Sequence, residues 1–306
     1  MGETVMDILF RETADSTGEY IPFASVPGGS SFNSMISIGR SRIPCLFIGY
    51  TGDNRVGRQI ATFMQHNGIS TDYFQIRKGE RAALSLAYLD NNGDADYTFY
   101  KEEPVSSGSY SIPQFTSEDY LLFGSYFAVC EGLRSQVSAT LHAANDANTV
   151  IYYDINIRRS HKHQLPSLWP NIQENARLSS IVRGSADDFD IIYGTRNPEE
   201  IYSKHISSLC PIFICTAGAG KIYICTPADT FCFTVPLIPA EEIVSTVGAG
   251  DSFNAGFLCA MHRLGIRNED LGSMSRSQWE PLVSHGIDYA SQVCRSQYNY
   301  IPTIKD

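Results

Sequence analysis

Long apolar runs are what this chain most clearly lacks. No uninterrupted stretch approaches the ~18 residues of a membrane-spanning helix, so a transmembrane protein is not expected. A basic N-terminal region followed by an apolar stretch and a small-residue cleavage site is also missing, which argues against secretion. No Lys/Arg run exceeds a pair, and 23 basic against 33 acidic residues leave a formal charge of −10 with histidine neutral. An extended nucleic-acid footprint is therefore not expected, and an anionic ligand would have to be attracted by local devices. The eight cysteines include no C-x-x-C pair, and several stand inside apolar runs such as "PIFICTAG" and "FLCAMHRLG". They read as buried, reduced thiols of a cytoplasmic protein. Internal repeats and low-complexity tracts are absent too.

What is present suits a large α/β fold. A chain of 306 residues, 43% hydrophobic and 18% charged, can bury a substantial core as one large domain, with or without a small appendage. "GETVMDILF" reads as a first strand and starts abruptly, as though a few residues ahead of Met1 were missing. Residues 10–27 are polar and irregular. "GGSSFNSMISIGRSRIPCLFIGYTGD" then reads as a Gly-Gly turn, a helix with apolar Phe32, Met35, Ile36 and Ile38, and a strand ending at Gly49 and Tyr50.

Residues 82–100 alternate apolar and polar on both sides of Asn91-Asn92-Gly93, which predicts a hairpin because Asn and Gly accept positive φ. Further strand-like runs recur at "YLLFGSYFAV", "TVIYYDINI", "SSIVRG", "IFICTAG" and "KIYICT", separated by helix-compatible segments. The expected architecture is three-layer α/β: a mainly parallel central sheet flanked by helices, with a small β lid. One domain over 1–306 is expected, with lid segments at about 10–27 and 80–105.

The chemistry gathers in "STVGAGDSFNAGF", residues 245–257. A Gly-Ala-Gly turn opening a helix exposes backbone N–H groups at the positive end of the helix dipole, a ready anion hole. Asp251 stands in the first turn of that helix, where it is either a cap or a catalytic acid–base group. Known phosphate motifs fail here. A G-x-G-x-x-G pattern would need glycine at Phe253, Lys221 lacks the neighbours of a P-loop lysine, and no dinucleotide fingerprint lies near the N-terminus.

"PGGSSFNSMISIGR" (27–40), "TGDNRVGRQ" (51–59), "YYDINIR" (152–158) and "STVGAGDSFNAGF" together resemble, in order and spacing, the PfkB-type, ribokinase-like sugar kinases. The resemblance spans nearly the whole chain. "GETVMD", "FYKE" and "DINIR" are most similar to fructokinase-like members. It implies ATP-dependent phosphorylation of a sugar hydroxyl, fructose or a related ketose first. Asp251 would be the general base, and the amides of Gly248, Ala249 and Gly250 would hold charge on the transferred group. Kinases for ribose, a nucleoside or a keto-deoxy sugar acid, and a non-catalytic sugar- or nucleotide-sensing domain, stay open. A nucleotide-binding oxidoreductase is disfavoured by the missing glycine fingerprint.

The same resemblance implies substrate binding by Asp7, Gly28, Gly29 and Asn33, with Phe99 in the lid and Arg158 facing the sugar or phosphate. Local readings compete. Gly28-Gly29 with Asn33 also suits a turn and helix cap, Asp7 a surface turn, the aromatics at 97–100 hairpin packing, and Arg158 an ion pair with Asp154. Asp154, Asn156 and Arg158 alternate along a strand end and would share one side of it.

"RGSADDF" resembles the segment that positions Mg²⁺ through water, with Ser185 and Asp188 as the matching residues, Asp188 being equally a helix-capping acid. "TAGAGK" resembles a nucleotide loop that retains Thr216 and Gly218, with Gly220 one position early, and Asn254 completes the nucleotide set. Ser245 stands where most members of the family it resembles carry Asp, in a loop that binds a monovalent cation, so potassium dependence is left open. His161 and His163 form an H-x-H with no third ligand and read as exposed loop, not zinc site. The partners expected are a small-molecule sugar and ATP, and an exposed lid would suit a homodimer.

Overall fold

The computed structural model describes residues 1–11, 23–89, 95–102, 111–218 and 220–303. Its strands are β1 Val5–Arg11, β2 Phe23–Gly28, β3 Cys45–Leu46, β4 Gly49–Gly52, β5 Ile69–Ser70, β6 Phe74–Arg77, β7 Ala83–Leu89, β8 Ala95–Tyr100, β9 Tyr120–Gly124, β10 Val150–Asp154, β11 Ile181–Ser185, β12 Ile212–Thr216, β13 Lys221–Cys225 and β14 Thr230–Thr234. Its helices are α1 Ser30–Arg40, α2 Arg55–His66, α3 Arg134–Asp146, α4 Leu165–Arg177, α5 Ala186–Tyr193, α6 Pro198–Ile201, α7 Ala249–Leu264 and α8 Arg276–Cys294. The chain divides into two compact units: Met1 with residues 104–237 and 260–285, and residues 2–103 with 238–259 and 286–306.

The first unit is built on a six-stranded sheet in the order β14-β13-β12-β11-β10-β9. β9 to β12 run parallel, and β13 and β14 join them antiparallel. Parallel strands covered on both faces need near-continuous apolar sequence, and β10 is buried at all five positions. α3 packs on β10 and α5 on β11. Phe123 stacks on Tyr153 at 4.8 Å, and Phe189 meets Phe213 at 4.9 Å. α5 starts with a capping box: Ser185 Oγ accepts from the Asp188 N–H at 3.1 Å while the Asp188 carboxylate accepts from the Ser185 N–H at 2.7 Å.

The second unit carries a separate four-stranded sheet, β2-β1-β7-β8, and two short parallel pairs, β3 with β5 and β4 with β6. α1 and α2 pack on the short pairs. Asn54 caps α2 by accepting the Gly57 N–H at 2.9 Å. The α/β expectation and the small separate β sheet are both met.

Two local readings change. The strand expected to run into Gly49 and Tyr50 is broken at buried Phe47 and Ile48 into β3 and β4. The segment taken as irregular through residue 27 ends in β2, which pairs antiparallel with β1; its pattern is obscured because Phe23 is exposed. β7 and β8 pair antiparallel as the hairpin requires, and the Asn91-Asn92-Gly93 turn lies outside the described residues.

Phe213 is fully buried on the central strand β12. Phe213→Ala is expected to destabilise the protein by about 3–5 kcal/mol, the usual cost of emptying an aromatic site, read as a lower urea midpoint at unchanged far-ultraviolet dichroism.

Candidate active site

In the second unit, α7 begins behind Gly248, whose φ of 81° suits glycine. A Cβ there would also lie 2.4 Å from the Asn299 carbonyl oxygen. The Ser252 N–H makes the first helical bond, to Gly248 O at 2.8 Å, and the Ala249 N–H donates to Thr246 O at 3.2 Å. Of the three amides expected to form the anion hole, that of Ala249 is therefore engaged within the turn. The positive end of the α7 dipole stays at this point.

Asp251 is half-buried in the first turn of α7. Ser30 Oγ donates to its Oδ1 at 2.7 Å and Asn33 Nδ2 to its Oδ2 at 2.8 Å. Ser34 Oγ donates to its backbone oxygen at 2.8 Å. Asn33 is only 5% exposed, and its Oδ1 is buried without a hydrogen-bond partner among the described residues. A buried orphan acceptor is costly and calls for a donor from outside the fold.

Asp7 on β1 is equally enclosed, at 4% exposure. Ser85 on β7 donates to its Oδ1, and Asn299 Nδ2 lies 3.4 Å from its Oδ2. The two expected glycines serve it differently. A Cβ on Gly28 would fall 2.2 Å from Asp7 Oδ2, so glycine leaves room for the carboxylate. Gly29, at φ 119°, turns the chain into α1, and a Cβ there would meet Glu3 O at 2.5 Å. Register places Asp7, Ser85 and Phe99 on one rung and hence on one face of the four-stranded sheet. Phe99 is 39% exposed.

In the first unit, charge collects at the carboxyl ends of the parallel strands, where open α/β sheets bind ligands. Arg183 Nη1 donates to Asp154 Oδ1 at 2.9 Å and Nη2 to Thr216 Oγ1 at 3.0 Å, bridging β10, β11 and β12. Burial alone would lower the Arg183 pKa, but Asp154, Tyr152 and Asp188 together outweigh it and raise it above the ordinary value. Asp154 thus has a partner in Arg183, and Arg158 is exposed at the start of a 3₁₀ turn. Asp154, Asn156 and Arg158 do not continue as one strand face. β10 ends at Asp154, and Asn156, at φ 34°, turns to donate to Ser125 Oγ at 3.0 Å.

Asp188 is buried, and desolvation raises its pKa. Its Oδ2 accepts from both the N–H and the hydroxyl of Ser185, so the capping alternative is realised. Among the described residues no three His, Cys, Asp or Glu side chains are grouped to hold a metal ion. His161 instead stacks on Tyr126 at 4.4 Å. Gly218 and Gly220 lie in the turn that joins antiparallel β12 and β13, closed by Ala217 N–H to Lys221 O at 2.9 Å. Asn254, on α7, is 1% exposed. Ser245 is buried, and its hydroxyl accepts the Val247 N–H at 3.2 Å.

Ser30, Ser34, Ser85, Asn299 and Arg183 were not singled out from the sequence. Arg183 left a signal, as an arginine in an otherwise apolar strand. So did Ser30, Asn33 and Ser34, which recur at helical spacing on a mostly buried helix. Ser85 and Asn299 left none.

The chain matches the model of the pfkB family of carbohydrate kinases over residues 1–299. It belongs to that family and is a carbohydrate kinase, a phosphotransferase. It is 25% identical to probable fructokinase-4 of Arabidopsis thaliana over 272 residues, 84% of this chain and 80% of that protein. The solved structure of Vibrio cholerae O395 fructokinase, bound to fructose, ADP and calcium ion, has a TM-score of 0.82 at 19% identity, covering 97% of this chain and 92% of that one. Aminoimidazole riboside kinase from Salmonella enterica, complexed with aminoimidazole riboside and an ATP analog, has a TM-score of 0.78 at 21% identity, covering 97% and 93%. These structures share the ribokinase-like fold. No helix among the described residues is long and apolar enough to cross a membrane, and all eight cysteines are free thiols.

Breaking the Asp154–Arg183 pair strands a buried charge. Arg183→Leu is expected to cost about 3–5 kcal/mol, measured by urea unfolding. The double variant with Asp154→Asn is expected to recover most of that loss, because no unpaired carboxylate is left behind.

Proposed function

We propose that this kinase transfers the γ-phosphoryl group of ATP to a hydroxyl of fructose or a related ketose, with Asp251 as general base. The observation that carries this reading is Asn33. Its amide holds Asp251 while its buried Oδ1 has no partner, so a polyol hydroxyl bound there would satisfy the acceptor beside the carboxylate. Asp7, immobilised by Ser85, would accept from a second hydroxyl, and Gly28 keeps its carboxylate clear of the backbone. Phe99 on the same face would cover the sugar. Asp251 would take the proton as the sugar oxygen attacks, and the N-terminus of α7 at Gly248 and Gly250 would stabilise charge on the transferred group. Phosphoryl transfer rests mainly on such alignment and charge neutralisation.

In the first unit, Thr216, Gly218, Gly220 and Ser185 are the proposed nucleotide contacts, and Arg158 is a proposed contact to the substrate or its phosphate. Mg²⁺ suits this chemistry as an ion carried by the nucleotide, since it retains most of its waters and needs few protein ligands. Asp188 would reach it through water, and when bound it would neutralise phosphate charge. The supporting relative is the fructokinase whose structure contains fructose, ADP and calcium ion. A second reading, a riboside acceptor, is favoured by one observation: exposed Phe99 on the Asp7 face offers an aromatic ring to a heterocycle.

The proposed unit of function is a single domain over 1–306, with the four-stranded sheet as lid. Its other face presents Phe10, Phe23, Tyr88 and Tyr100, with Phe23 62%, Tyr88 50% and Tyr100 58% exposed. We assign this aromatic face to a second copy of the chain, since a two-fold pairing would bury it against itself.

Purified protein with ATP and magnesium, assayed against fructose, ribose, glucose, ribosides and sugar acids, is expected to turn over fructose best. A higher kcat/KM on a riboside would move the assignment to the second reading. Asp251→Asn is expected to lower kcat by at least ~10²-fold at preserved fold, and near-normal turnover would reduce Asp251 to a cap. Light scattering is expected to give a dimer that Tyr88→Glu converts to monomer; a wild-type monomer would remove the lid assignment.

A further inference from the structure

α1 starts immediately behind Gly29, which makes no side-chain cap. Ser30, Asn33 and Ser34 follow at i, i+3 and i+4, one face of the first turn. All three donate to one residue, Asp251: Ser30 Oγ to Oδ1 at 2.7 Å, Asn33 Nδ2 to Oδ2 at 2.8 Å and Ser34 Oγ to the backbone oxygen at 2.8 Å. Two points on one rigid helical turn thus fix the plane of the carboxylate, and a third fixes its backbone. An aspartate χ2 is otherwise broad and roughly two-fold.

The three donors differ in what else they do. Ser34 Oγ also reaches Ser30 O at 3.3 Å, a local helix contact. Asn33 has the orphaned Oδ1 discussed above. Ser30 is half-buried, and among the described residues its hydroxyl bonds to Asp251 alone.

We propose that Ser30 is a positioning residue for phosphoryl transfer, holding Oδ1 of Asp251 so that the carboxylate keeps one orientation toward the attacking hydroxyl. This rests on the reading of Asp251 as general base. A misaligned base loses rate at the chemical step more than it loses substrate, because alignment is what the transition state demands. Asn33 does not substitute for Ser30, since it holds the other oxygen.

The test is steady-state kinetics of wild type, Ser30→Ala, Ser30→Thr and Asp251→Asn with ATP and fructose, or whichever acceptor the panel identifies. Ser30→Ala is expected to lower kcat roughly tenfold, about 1.4 kcal/mol of transition-state stabilisation, with both KM values and the melting temperature close to wild type. Ser30→Thr, which keeps the donor, is expected to restore most of kcat. Wild-type kcat in Ser30→Ala, a loss that threonine does not restore, or a loss that follows a fall in melting temperature would each overturn the proposal. Asp251→Asn separates this from the parent reading. If it is inactive while Ser30→Ala is normal, only the role of Ser30 falls; if it turns over, the base assignment falls and the role of Ser30 with it.

Discussion

The contact between Asp251 and the first turn of α1 is the constraint around which the second unit is arranged. A carboxylate at the start of α7 is met by donors from a helix more than two hundred residues earlier in the chain. For that meeting to occur, Gly29 must turn the chain sharply into α1, and Gly248 must turn it into α7 while the Asn299 carbonyl passes close by. The glycines and the acid therefore form one steric and electrostatic arrangement rather than two independent motifs. Charge-assisted hydrogen bonds of this kind are the stronger ones, and two of them meet this half-buried acid.

Asp7 shows the same logic in a strand. A carboxylate at 4% exposure is tolerated only when its lone pairs are met and space is left for them. Ser85 meets one oxygen from the neighbouring strand, and Gly28 leaves the room. The sheet that carries Asp7 thus has two chemically different faces. One places Asp7, Ser85 and Phe99 on a rung, and the other displays Phe10, Phe23, Tyr88 and Tyr100. A period of two in a strand is enough to separate them.

The first unit solves a different problem. Its parallel strands are too apolar to present polar groups except at their carboxyl ends, and there Arg183 ties Asp154 to Thr216 across three strands. Buried ion pairs contribute little net stability but penalise any arrangement that separates them. This one fixes how three neighbouring strand ends, and the turns that follow them, stand relative to one another. The capping box of Ser185 and Asp188 sits on the same edge, so the acid read as a magnesium group is first of all a helix-starting device.

Much of the fold was legible in the sequence because it follows from local patterns. Apolar runs marked β9 to β13, helical spacing marked α1, and the Gly-Ala-Gly turn marked the start of α7. β2 and the break between β3 and β4 were not legible, since their boundaries depend on which neighbour pairs with them. The candidate site divides the same way. Asp251, Asp7, Asn33 and the glycine pair stood out because their residue types are unusual in those local settings and together resemble a family pattern. What the sequence by itself determined is the family, the α/β architecture and these marked positions. Only the tertiary structure decided that Ser30 and Asn33 grip Asp251, that Ser85 and Asn299 enclose Asp7, and that Arg183 answers Asp154. Backbone preference is set by near neighbours and can be read along the chain, whereas the partner of a polar side chain is set by whichever distant segment folding brings within hydrogen-bond reach.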